Sequence, residues 1–255
     1  MPRKMLTLED AHKLNPKLNS ELFFPAPQDV LSAIKGNRIV RRWLEFVAER
    51  HEAPPAMLLL LVPCDAKKPY EPPRSELFKR LLDIERRING AETATKLRTT
   101  ATSLHTRAQP RRSKLRLYMC AVSEPLALEP REFWDFTWRI DDETVNLVYD
   151  APFFPWIERY GYKWDESIAE EVWRILNGVV RRWLARNRSK FENVLAFACP
   201  SSGYRRILSS VVTNFVPSEC PEVKETYEEN VSRVYTQNAV WSEFLNALRR
   251  LNMLK

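Results

Sequence analysis

Glycine is scarce in this chain, with five among 255 residues against eighteen prolines. That excludes the glycine-rich loops that cradle phosphates in many nucleotide-binding folds. The prolines point instead to short, stiff connections. Long apolar runs are also missing. The longest, residues 56–63, falls far below the roughly 18 residues a membrane helix needs. The N-terminal Met-Pro-Arg-Lys-Met has none of the apolar stretch of a signal peptide, so a cytoplasmic protein is expected. The histidines are His12, His51 and His105, and the cysteines Cys64, Cys120, Cys199 and Cys220. No CxxC pair and no close Cys/His spacing occurs, so no metal site is expected. The thiols are expected to be mostly reduced, as in an intracellular protein. Cys120 and Cys199 lie inside apolar runs and read as packing residues. His105 reads as a loop residue, and no Ser-His-Asp set can be assembled.

Hydrophobic residues make up 44% of the chain and charged residues 29%, an ordinary globular balance. Continuous apolar runs at 57–62, 115–122, 145–149 and 194–199 read as buried strands, with a fifth possible at 208–215. Between them the apolar spacing turns helical, at 28–51, at 75–89 with Gly90 as its stop, at 165–186 and at 220–255. Strands alternating with helices predict an α/β fold with a mostly parallel sheet. One domain over 1–255 is expected, with residues 1–52 as a helical leader packed on it.

The net charge is +7 and the isoelectric point about 9.3, which favours polyanionic partners. Lys96, Arg98, Arg107, Arg111, Arg112, Lys114 and Arg116 lie in one stretch without an acid. These seven cations equal the whole net charge. Two readings stay open: a solvated basic loop, or a contact surface for nucleic-acid backbone.

Open α/β sheets bind ligands beyond the carboxyl ends of their strands. The residues found there are Pro63, Cys64, Lys68 and Tyr70 after the first strand, and Ser123 and Glu124 after the second. Tyr149 and Asp150 close the third, and Ser201 and Tyr204 follow the fourth. Cys64 is a candidate nucleophile because Lys67 and Lys68 follow it, or else a small residue closing a strand. Asp150 is a candidate base or hydrogen-bond acceptor, or else a turn cap. The tyrosines could stack on a base or simply pack.

Pro63-Cys64-x-x-x-Lys68-Pro69-Tyr70 resembles the opening of the archaeosine synthase signature. Ser123-Glu-Pro-Leu-Ala-Leu-Glu-Pro-Arg-Glu132 resembles that family's S-x-P-L-G-x-V-P-x-E-L stretch, with Ala127 at the glycine. Val148-Tyr149-Asp150-Ala-Pro152 resembles its H-Y-D-x-P, and 193–204 a later strand and loop. The signature's serine and histidine positions hold Pro73 and Glu76. The resemblance spans about 150 residues, 58–212. It implies a uracil-DNA-glycosylase-like, three-layer α/β/α sandwich. It also implies a tRNA-modifying transferase that adds lysine to the nitrile of 7-cyano-7-deazaguanine in archaeal tRNA. No cofactor is implied. A separate transglycosylase- or PUA-type chain, or a radical-enzyme subunit, would be a partner. Cys64, Asp150 and Lys68 would be catalytic. Pro63, Tyr70, Ser123, Glu124, Tyr149 and Ser201 would bind the base, and the basic stretch would bind RNA. A non-catalytic nucleic-acid binder and a base-excision glycosylase are the alternatives.

Overall fold

In a computed structural model, residues 5–90, 114–140, 142–221 and 230–255 are described. The strands are β1 (Ala56–Pro63), β2 (Leu115–Ser123), β3 (Ala127–Pro130), β4 (Thr137–Ile140), β5 (Glu143–Asn146), β6 (Phe191–Phe197) and β7 (Phe215–Val216). Five of them form one sheet in the order β3-β2-β1-β6-β7, parallel except for β3. Leu58 to Val62 of β1 are all at most 1% exposed. A strand buried on both faces must sit centrally, and the register places Leu60 between Met119 of β2 and Leu195 of β6. Burying each of those leucines contributes roughly 1.5–3 kcal/mol.

The helices are α1 (Leu8–Leu14), α2 (Pro27–Gly36), α3 (Arg38–Glu45), α4 (Glu76–Asn89), α5 (Glu166–Asn187), α6 (Gly203–Leu208), α7 (Asn230–Thr236) and α8 (Asn238–Arg250). Their ends follow local chemistry. Thr7 and Asp10 form a reciprocal capping box on α1. Ser75 caps α4, and Gly90 ends it at φ +82°. Asp165 caps α5 through two backbone N–H groups. Helices α2 and α6 pack on α5, which also meets β3, whereas α4 packs on β2 and α7, and α8 on β7. The apolar stripe of α5, from Ala169 to Leu184, is buried, as its period requires.

The expected strands at 57–62, 115–122 and 194–199 are present, within three residues of those bounds. The one expected at 145–149 is not in the main sheet. Residues 143–146 pair with β4 as an antiparallel hairpin, because alternate residues of β4 are buried and exposed and so suit a one-sided ribbon. Residues 148–150 instead run beside the leader. Asn19 N–H donates to Val148 O, and Phe24 N–H to Asp150 O. The possible strand at 208–215 shrinks to the two residues of β7, since α6 runs to Leu208. The helix expected at 28–51 breaks at Asn37, whose side chain caps α3.

The cysteine expectation also needs correction. Cys199 and Cys220 are joined as a disulfide, with Cα atoms 5.7 Å apart, so Cys199 is not a free packing thiol. Cys64 and Cys120 are free. Among the described residues no helix is long and apolar enough to cross a membrane.

Candidate functional site

The chain leaves β1 towards β2 on one side and later returns as β6 on the other. Such a reversal opens a crevice at the carboxyl ends of the two strands. A two-part cleft lies there. Its inner compartment, about 50 Å³, is lined by Cys64, Asp65 and Lys68 after β1, Glu124 after β2, Tyr149, and Tyr204 after β6. Its outer compartment, about 530 Å³, opens past Trp156, Trp173 and Tyr235. Glu124, Phe153, Phe154, Tyr204 and Val231 wall both.

The loop after β1 is fixed from the leader. Asn15 is fully buried and accepts from Lys68 N–H at 2.7 Å and from Arg74 Nη1 at 3.1 Å, while its amide donates to Ala66 O at 2.8 Å. Arg74 also donates to Lys68 O at 2.6 Å. Lys68 is thus held at 2% exposure. Its Nζ donates to Asp65 O at 2.8 Å and lies 3.9 Å from the Tyr149 ring centroid. That geometry is a desolvated cation–π contact, not a hand reaching for phosphate.

Cys64 lines the inner compartment, its Sγ 3.3 Å from Tyr204 Oη. Burial pushes its thiol up to about 12, with Lys68 opposing. The adjacent lysines therefore do not make it a thiolate at neutral pH, which corrects the expectation of an activated nucleophile. Glu124 stands where the two compartments meet. Its Oε1 accepts from Trp173 Nε1 at 3.0 Å, and burial pushes its carboxyl up to about 7. A group poised there can both take and give a proton.

Beneath this floor lies Glu129, fully buried, with neither carboxylate oxygen in a closed hydrogen bond. Ser123, Tyr149 and Tyr70 face it, and the Ser123 and Tyr149 hydroxyls are likewise unclosed among the described residues. Burial pushes Glu129 upward while Lys68 opposes. Asp65 is also pushed up by burial, and its Oδ1 accepts from Lys67 N–H at 3.0 Å.

The expected residues are therefore only partly brought together. Cys64, Lys68, Glu124 and Tyr149 line the inner compartment, and Ser201 the outer one. Pro63 and Ser123 are buried strand ends behind it. Tyr70 cannot stack on a ligand, because it is fully buried with its ring already 3.8 Å from Phe78. Asp150 is 3% exposed and does not wall the cleft, although Tyr149 and Ala151 on either side of it do. Its backbone pairs with Leu22 and Phe24 of the leader.

Of the basic stretch, Lys96, Arg98, Arg107, Arg111 and Arg112 lie outside the described residues. Lys114 pairs with Glu192, and Arg116 donates to Asn252 O at 2.9 Å. Both sit at the start of β2. The nine residues of that strand separate them from the cleft by roughly 25–30 Å.

Sequence reasoning missed Glu129, Trp173, Gly203 and the anchor Asn15. Glu129 reads as a solvated acid until the elements that cover it are seen. Trp173 and Asn15 depend on partners 49 and 53 residues away in sequence, and Gly203 on Trp173 and Glu124, 30 and 79 residues away. No cluster of three metal-ligating side chains occurs among the described residues. Scans against protein-family models, curated proteins and solved structures match nothing to this chain.

Proposed function

We propose that the chain acts on a nucleobase of structured RNA in the manner of archaeosine synthases, joining lysine to the nitrile of 7-cyano-7-deazaguanine in tRNA on a uracil-DNA-glycosylase-like sandwich. The observation that carries this reading is the cleft at the β1–β6 crevice, with Cys64, Lys68, Glu124 and Tyr149 on its inner wall. These residues belong to the segments that resemble the family. Ala127 adds support. It adopts φ +61°, a conformation that favours glycine, and it stands where the family's pattern has glycine.

In the reaction so assigned, the lysine amine nitrogen bonds to the nitrile carbon and one C–N π bond opens. A proton passes from the amine to the former nitrile nitrogen, and no group leaves. Glu124 is the group suited to carry that proton, since its carboxyl titrates near neutrality. Aromatic walls and a water-poor floor suit a planar base taken out of its stack. Lys68 supplies fixed positive charge beneath the base rather than a phosphate contact. Asp150 acts by seating the Tyr149–Ala151 segment.

Mass spectrometry of tRNA nucleosides from a deletion strain tests the reading. Accumulation of 7-cyano-7-deazaguanosine with loss of its lysine adduct is expected. An unchanged nucleoside profile, together with no lysine transfer by the purified chain on nitrile-bearing tRNA, overturns it.

A further inference from the structure

We propose that the outer compartment is a binding site for the single-stranded ribonucleotides flanking the base in the inner one, with Trp156 as a stacking platform and Arg159 and Arg206 as phosphate contacts. This rests on the reading that the inner compartment takes a nucleobase.

Size is the first argument. Small-ligand sites enclose roughly 300–1,000 Å³. The inner compartment, about 50 Å³, is a narrow recess below that range, whereas the outer, about 530 Å³, lies within it. The outer space therefore has room for nucleotides beside the recess, and the shared walls make the two continuous. Wall chemistry is the second. Trp156 lies flat on Phe154, with centroids 3.7 Å apart and planes 17° apart, giving a rigid aromatic step. Base–aromatic stacking on such a step tolerates any sequence.

Charge at the lip is the third argument. Arg159 and Arg206 are exposed, with guanidinium carbons 6.0 Å from the Trp156 centroid and 5.9 Å from the Trp173 centroid. Arg159 has no ion pair among the described residues, and Arg206 meets Glu170 only at 3.7 Å. The acid Glu166, also on this wall, is occupied by Trp164 Nε1 at 2.8 Å. Guanidinium groups held beside indoles fit alternating phosphates and bases.

Fluorescence anisotropy of the full chain with a fluorescein-labelled pentaribonucleotide carrying one central guanosine provides the test, run across salt concentrations. Trp156→Ala should weaken binding roughly five- to 150-fold. The double variant R159A/R206A should reduce the log–log salt slope by about 1.4, two single-strand phosphate contacts. Folding of each variant is checked by thermal melting. The proposal is overturned if the wild type does not bind the oligonucleotide, if both outer-wall variants bind as tightly as wild type, or if polyglutamate competes as well as RNA does. Loss of binding in the outer-wall variants, in a chain that transfers no lysine to nitrile-bearing tRNA, would sustain this site while removing the reaction assigned above.

Discussion

Trp173 Nε1 donates to Glu124 Oε1 at 3.0 Å directly over the backbone of Gly203. A Cβ at Gly203 would collide with that carboxylate oxygen and lie 2.7 Å from the indole nitrogen. Neither group is a loose end, since both are buried. Gly203→Ala should therefore separate the pair and lower stability by about 1–3 kcal/mol. Chemical denaturation checks this. An unchanged midpoint would mean that the crossing has slack.

Burial raises the Glu124 carboxyl to about 7 from an ordinary 4.5. An acid with a raised folded-state value binds its proton more tightly folded than unfolded. Its contribution to stability is thus complete below about 4.5 and is lost as pH rises to about 7. The loss runs at about 1.4 kcal/mol per pH unit. Glu124→Gln should remove this slope, flattening the melting temperature between pH 5 and 7. In a lysine-transfer assay the same substitution should abolish a rate limb centred near neutrality. A wild-type slope in the variant would assign the titration elsewhere.

Much of the frame was legible because its signals are local. The run at 57–62 could be read as a doubly buried strand from its own residues, and Gly90 as a helix stop. The strand expected at 145–149 failed because apolar content does not reveal which partner a segment pairs with, and here the leader took residues 148–150. In the cleft, strand ends led to Cys64, Lys68 and Glu124, which line it, whereas Tyr149 was reached through a strand that is not in the main sheet. Tyr70 misled because its stacking partner Phe78 belongs to a helix that packs against the same loop. The floor at Glu129 stayed hidden, since an acid in β3 is read as solvated until β2 and the β1 loop are seen to cover it.

Cys64 should be a slow thiol. With its titration pushed up to about 12, only on the order of one molecule in 10⁴ carries the thiolate at pH 8. Iodoacetamide should label native Cys64 at least about a thousand times more slowly than free cysteine, with normal labelling after denaturation. Rapid native labelling of Cys64, located by peptide mapping, would restore the activated-nucleophile reading.

Ala127 holds φ +61° at the start of β3 with its side chain fully buried. The left-handed conformation costs an L-residue roughly 1–2 kcal/mol. Glycine relieves that strain but adds up to about 1 kcal/mol of unfolded-state entropy. Ala127→Gly should therefore be neutral to stabilising by about 1 kcal/mol, unlike most changes at a buried position. Calorimetric melting decides it, and a drop of several degrees would show that the lost methyl contact outweighs the backbone.

Lys68 and Glu129 share one buried floor, where the ammonium opposes the upward push that burial exerts on the carboxyl. Replacing Lys68 with Met removes that opposition. Glu129 should respond by staying protonated in the folded state to higher pH, rather than by ionising unpaired in the interior. The unfolded chain still ionises near the ordinary glutamate value. Lys68→Met should therefore make stability fall more steeply as pH rises above the ordinary glutamate value, by up to about 1.4 kcal/mol per unit. Adding Glu129→Gln removes the titrating group and should flatten that slope again. The double variant should be more stable at pH 8 than Lys68→Met alone, although two native side chains are gone. Urea denaturation of the four proteins at pH 5 and pH 8 completes the cycle. Additive effects at both pH values would mean that Lys68 is held by Asp65 and Tyr149 alone and that Glu129 is compensated from elsewhere.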